Sequence, residues 1–213
     1  MIRNIIGQDV NSFDLRKIMD ERKILICNLS VGLTGKDNVD LIGSLLVTKI
    51  YLAALSRANL NYEELQKSPP FYLYVDEFQN FVNESFADIL SQARKYNLGL
   101  IVAHQYIEQL DEETRASIFG NVGSMIIFRV GAVDAEYIER ELAPVFTADD
   151  IVNLASREIV LRLSIDNISS KPFSAWTLKP IENENIDNKN AIINLSRALY
   201  GRPKFMIEDD IRD

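Results

Sequence analysis

Asp76 and Glu77 close a run of five apolar or aromatic residues, Phe71–Val75, within the stretch FYLYVDEFQNF. A buried strand of a parallel sheet ends this way when its tip carries carboxylates for a nucleotide-bound metal. In that chemistry the first carboxylate holds magnesium through water, and the second orients or deprotonates the attacking water. The competing reading is a strand that ends in an acidic turn, and the pattern taken alone leaves both open. The next apolar run, LGLIVA at 98–103, leads into His104 and Gln105. Ends of successive strands in a parallel sheet lie side by side, and ligands bind at that carboxyl edge. Gln105, a donor and an acceptor at once, could reach a terminal phosphate or the water that Glu77 activates. His104, the single histidine, reads as a structural residue. Arg94 and Lys95 stand between the two runs. They suit a helix C-terminus, or Arg94 is a finger for a nucleotide held by a neighbouring subunit.

Such a site also needs a loop that grips phosphate. The stretch SVGLTGKD at 30–37 falls between an apolar run and a helical one, where such a loop belongs. The working pattern is G-x-x-x-x-G-K-[ST]. Here Ser30 replaces the first glycine and Asp37 the hydroxyl that ligates magnesium. A carboxylate beside phosphates adds repulsion, so the stretch reads as a turn with an exposed Lys36.

The elements that must position these residues follow from apolar spacing. Residues 23–29 (KILICNL), 71–75, 98–103 and 124–130 read as strands, and 38–57, 83–96, 112–119 and 133–142 as helices. Asn38 is the expected N-cap of the long helix, and Asn97 suits the end of the helix over 83–96. This alternation with short connections predicts an α/β fold: a mostly parallel sheet with helices on both faces. After Pro144 a helix is expected at 148–155. Strands at 158–163 and 172–178 are expected to form an antiparallel edge, followed by a polar loop at 182–190 and a last helix at 191–200.

Bulk composition narrows the function classes. With 213 residues, 47% hydrophobic and 25% charged, the chain can bury a full core. Its net charge of −8, from 23 basic and 31 acidic residues, excludes a general nucleic-acid coat, which needs dense Lys and Arg. The single Cys27 cannot form an internal disulfide, and its apolar neighbours predict burial. The longest apolar stretch, 41–55, contains Lys49 and reads as a core helix rather than a span. No secretory signal opens the chain, and a cytoplasmic location is expected.

The order of these features resembles the C-terminal half of the motor domain of HerA/FtsK-type ATPases, including conjugative coupling proteins of the TraD/TraG kind. The residues that carry the resemblance are NLS at 28–30, GSLLVTKIYLAALSRA at 43–58 and YVDEFQNF at 74–81, continuing with QARKYNLGLIVAHQ at 92–105 and FGNVGSMIIFRVGAVDAE at 119–136. It extends over roughly residues 1–180, with 181–213 as a polar loop, helix and acidic tail. The resemblance implies a partial RecA-like P-loop NTPase core. In it Asp76 and Glu77 match the Walker B pair, with Asp76 on the metal, and Gln105 matches the polar sensor. Arg94 matches an arginine acting across a subunit interface, and Arg129 a nucleotide-side motif. It further implies ATP and Mg2+ as cofactors and DNA as a partner. A hexameric ring, secretion or repair partner proteins, and a place at the inner membrane through another part of the protein are also implied. Such motors carry their phosphate loop upstream of the matched part, so the expectation is a motor half that is inactive alone. A non-catalytic interaction module that keeps the fold is the alternative, and a complete small NTPase using Lys36 is a third.

Overall fold

A computed structural model describes residues 2–82, 85–180 and 188–211. In chain order the elements begin with α1 (Ile2–Ile6), α2 (Leu15–Asp20), α3 (Val31–Thr34), α4 (Lys36–Leu55) and α5 (Tyr62–Lys67). They continue with β1 (Phe71–Val75), α6 (Ser85–Gln92), β2 (Leu98–Val102), α7 (Glu112–Asn121), β3 (Met125–Ile127), α8 (Ala132–Leu142) and α9 (Ala148–Val152). The last are β4 (Glu158–Arg162), β5 (Ser164–Ile165), β6 (Ile168–Ser169), β7 (Phe173–Trp176), α10 (Lys189–Tyr200) and α11 (Lys204–Asp210). The fold is mixed α/β, with one parallel strand pair and antiparallel sheets among the described residues.

Two compact units form. The first comprises Met1–Leu73, Ala93–Gly99 and Glu182–Asp213, and the second Tyr74–Gln92 and Leu100–Ile181. The spine of the first unit is α4. Its buried residues Val39, Gly43, Val47, Ile50, Tyr51 and Ala54 recur at helical spacing and form one face. Together with the 3-10 turn Ser56–Asn59, this helix is long and apolar enough to cross a membrane by length and composition. That is longer than the apolar stretch 41–55 suggests, but the buried stripe packs on α2 and on the 3-10 turn Ala93–Tyr96. Asn38 is not the N-cap. Gly35 takes that place at φ 83°, and the Asn38 amide donates to the Thr34 carbonyl at 2.8 Å.

Residues 23–29 overturn the expected buried strand. They form no strand, and Ile24 and Ile26 are 89% and 78% exposed. Cys27 is exposed as well, against the expected burial. An apolar run can pair only if a neighbouring strand offers its hydrogen-bonding edge, and among the described residues none pairs with this one.

The second unit is built around Ile107, Met125, Ile127, Ala135, Ile138, Leu142, Ile151, Leu154 and Val160. The stretch 124–130 does not extend the parallel sheet. Its β3 runs antiparallel to β4, with Ile127 opposite Val160. The expected antiparallel pairing of the two late strands is present, with Val160 of β4 opposite Ser174 of β7. Arg162 ties β4 to α8 through the Glu141 carboxylate at 2.8 Å and the Glu141 carbonyl at 3.1 Å. The helix expected over 83–96 is split into α6 and a 3-10 turn. Positions 83 and 84, with most of the expected loop at 182–190, lie outside the described residues.

Candidate functional site

The site begins with the pairing of β1 and β2. The Phe71 N–H donates to the Asn97 carbonyl at 2.8 Å, and the Ala103 N–H to the Val75 carbonyl at 2.9 Å. Both partners advance in the same direction along the chain, which makes the pair parallel. Alternation then sets the faces: Tyr72 and Tyr74 point outward, while Val75 is buried. Gly99 is required by this pairing, because a Cβ there would lie 2.7 Å from the Tyr72 ring.

Beyond Val75 the chain turns sharply. Glu77 adopts φ 49° and ψ 45°, a left-handed conformation for a residue with a Cβ, at a cost of about 1–2 kcal/mol. Two features hold it there. The Phe78 N–H donates to the Ala103 carbonyl at 3.1 Å, which joins the turn to the end of β2. The Phe78 ring is fully buried, stacked on Phe86 with centroids 5.4 Å apart and met edge-on by His104 at 4.9 Å. An anchored Phe78 fixes the residue before it.

This brings together the side chains that the spacing put at two strand ends. The Gln105 amide donates to Glu77 Oε1. A second amide, which sequence reasoning missed, donates to the other oxygen: Gln79 Nε2 lies 2.8 Å from Glu77 Oε2. The 3-10 turn Phe78–Asn80 folds Gln79 back over Glu77. The signal available in the sequence was the E-x-Q spacing after a strand. Asp76 is exposed, and its Oδ1 accepts the Glu77 N–H at 3.0 Å. One lone pair is used of about four that a carboxylate offers, so Asp76 can still serve a cation. Among the described residues no three His, Cys, Asp or Glu side chains gather. A cation here would therefore take most of its oxygens from water and phosphate, as magnesium does with nucleotides.

His104 sits half-buried behind this turn, its ring against Phe78. Burial holds its imidazole below the ordinary value, against the Tyr106 carbonyl and the Asp134 and Glu77 carboxylates, which pull it up. Its Nδ1 is buried without a partner. Asp134, buried in the first turn of α8, accepts the Glu108 N–H at 3.3 Å and so supports the chain that leaves β2. Arg129 is exposed just after β3. Arg94 is exposed in the 3-10 turn Ala93–Tyr96, which belongs to the first unit, whereas Asp76, Glu77 and Gln105 belong to the second.

The stretch SVGLTGKD forms a helix rather than a phosphate cradle. Thr34 N–H donates to the Ser30 carbonyl at 3.2 Å and Gly35 N–H to the Val31 carbonyl at 2.9 Å. These are the backbone donors that a phosphate loop would aim at its ligand, and here they are spent in a helical turn. Lys36 is exposed at the start of α4. These residues do not fit a nucleotide's phosphates, whereas the exposed Asp76 carboxylate keeps lone pairs that a cation could use.

Comparison with curated proteins finds no match. Residues 70–154, less than half of the chain, match the family described as the TraM recognition site of TraD and TraG. The matched region runs from the start of β1 past the end of α9 and contains Asp76, Glu77, Arg94, Gln105 and Arg129. This similarity supports the TraD/TraG coupling-protein kind among the motors that the sequence resembles.

Proposed function

We propose that this chain supplies the carboxylate side of an ATP-driven DNA translocase of the conjugative coupling-protein kind. One observation carries the reading: Glu77 and Gln105, from the ends of two adjacent parallel strands, meet in a hydrogen bond. An acceptor that can take a proton from water therefore lies beside an amide that can also face a phosphate. Glu77 orients and deprotonates the attacking water, and Gln105 senses the terminal phosphate. Asp76 would hold the magnesium of bound ATP, which supplies charge neutralisation on the phosphates. Arg94 acts in trans on a neighbouring subunit's nucleotide, and Arg129 lies on the nucleotide side. The phosphate grip comes from elsewhere in the motor, since SVGLTGKD is helical. A hexameric ring, DNA in its channel and a position at the cytoplasmic face of the inner membrane complete the proposal.

A second reading has its own observation. The matched family is named for recognition of TraM, and the sheet β3–β4–β7 exposes Ile126 and Phe173, with Phe128 exposed just after β3. On this reading the region is a protein-recognition module that binds a TraM-like partner and performs no chemistry. DNA-stimulated ATP hydrolysis by the full-length protein separates the two. The motor reading expects turnover that Glu77→Gln abolishes while nucleotide binding persists. Turnover unchanged in that variant removes Glu77 from its role, and no turnover in the parent protein leaves the recognition module.

A further inference from the structure

The two amides on Glu77 are not equivalent. Gln105 is exposed, whereas Gln79 is half-buried in the turn that Phe78 anchors. Gln79 Nε2 donates to Glu77 Oε2 at 2.8 Å, while its own Oε1 is buried with no partner. Carboxylates only accept, so the amide must face Glu77 with its nitrogen. Turning the other way would set oxygen against oxygen. The unsatisfied Oε1 is therefore a consequence of serving Glu77. Buried acceptors are rarely left without a donor, and here the cost is incurred at the half-buried one of the two side chains that steady the left-handed glutamate.

We infer that Gln79 is the positioning residue of this site: it is the fixed anchor of the Glu77 carboxylate, and Gln105 is the exchangeable partner. The inference rests on the motor reading for its kinetic consequence. Each amide occupies one lone pair on one oxygen, so Glu77 keeps the remaining lone pairs for a water. When Gln105 turns toward a phosphate, Oε1 is released to that water. Gln79 then remains as the contact that stops the side chain from leaving its rotamer. An exposed glutamine alone could not do both, because sensing a ligand means breaking its bond to Glu77.

The test has two arms. In the full-length protein, Gln79→Met keeps the length of the side chain and removes the donor. It is expected to lower kcat for ATP hydrolysis about tenfold or more, with KM for ATP unchanged, as for an interaction that matters in the transition state. Gln79→Lys, which restores a donor of similar reach, is expected to recover part of that loss, which a merely structural role would not predict. An unchanged kcat in Gln79→Met, in a parent that hydrolyses ATP, overturns the inference and leaves the motor reading standing. The second arm needs no turnover. In the 213-residue chain labelled with 15N at glutamine, the Gln79 side-chain amide protons should exchange slowly with solvent, protected by their bond to Glu77. That protection should be lost in Glu77→Ala. If the parent does not hydrolyse ATP, the motor reading fails, and a Gln79 resonance that ignores Glu77 then overturns the anchor as well.

Discussion

Arg57 and Glu77 are both charged, and both sit where an element ends, yet the protein treats them in opposite ways. Arg57, in the first unit, is fully buried. Its guanidinium donates to Asp20 Oδ1 at 2.9 and 3.1 Å, to the Tyr96 carbonyl at 2.9 Å and to the Asn97 carbonyl at 3.3 Å. Nothing of it faces solvent, and its charge is met by a carboxylate and two carbonyls. Glu77, in the second unit, is half-exposed on a left-handed backbone, held by two neutral amides and with lone pairs to spare. A charge whose bonding capacity is filled from within its own unit organises that unit. A charge that is steadied but not neutralised keeps the capacity to act on something else.

The largest effect that could break this contrast is on activity. On the proposed motor reading, Glu77→Gln keeps shape and removes the carboxylate that would act as base, so hydrolysis by the full-length protein should fall by about 10²–10⁴-fold. Its unfolding midpoint should move little, because the new amide oxygen can accept from one of the two glutamines while its NH2 donates to the other once that amide has turned over. A collapse of stability in this variant would mean that Glu77 is a structural charge after all.

The converse holds for Arg57. Arg57→Met removes the donor that the Tyr96 and Asn97 carbonyls share, and should cost about 3 kcal/mol in urea unfolding. Its partner Asp20 adds a pH signature. Burial pushes the Asp20 carboxyl up, but hydrogen bonds from Arg16 and Arg57, with their charges, outweigh it and hold it below the usual range. The resulting stability is present above about pH 4 and is lost as pH falls through the lower folded value. Arg57→Met should shrink that acid limb to the part that Arg16 supplies. A variant as stable as the parent would show that burial of Arg57 is incidental.

These two charges also show what the sequence could reveal. The strand ends and their carboxylates were legible because apolar runs of strand length closed on polar residues, and β1, β2, α8 and the β4–β7 pair follow that pattern. The mostly parallel sheet was not borne out, because periodicity identifies a strand but not its neighbour. Residues 23–29 have a strand's composition and no partner, and β3 pairs antiparallel with β4. Gln79 was missed for a related reason: a 3-10 turn and a left-handed Glu77 fold it back, and neither shows in residue types. Arg57 sat at the end of an apolar helix, where a solvated cation is the ordinary case.

A smaller test concerns how the first unit fixes the start of the strand pair. Asn97 has φ 56°, and its amide donates to the Leu65 carbonyl at 2.8 Å, the Ser68 carbonyl at 3.2 Å and Ser68 Oγ at 3.1 Å. Asn97→Gly loses those bonds but keeps an easy left-handed backbone, whereas Asn97→Ala loses both. Urea unfolding should rank them parent, Gly, Ala, with losses of about 1 and about 2 kcal/mol. Equal losses would show that the backbone conformation contributes nothing.

The smallest effect sharpens the contrast at its edge, on the residue beside Gln105. His104 is held below its ordinary value by burial, so well above pH 7 it is neutral in both the folded and the unfolded chain and contributes no pH dependence. Below about pH 6.5 the unfolded chain takes up a proton that the folded chain still refuses. Stability must then fall with pH until the folded value is passed, with a slope of at most about 1.4 kcal/mol per pH unit from this one group. His104→Phe keeps an aromatic ring against Phe78 and removes the titration, so its stability should fall less between pH 6.5 and 5 than that of the parent. Identical slopes would mean that the imidazole is solvated well enough to protonate in place. The imidazole would then count among the groups that charge within the folded protein, and the division between structural and chemical charges would have to be redrawn around it.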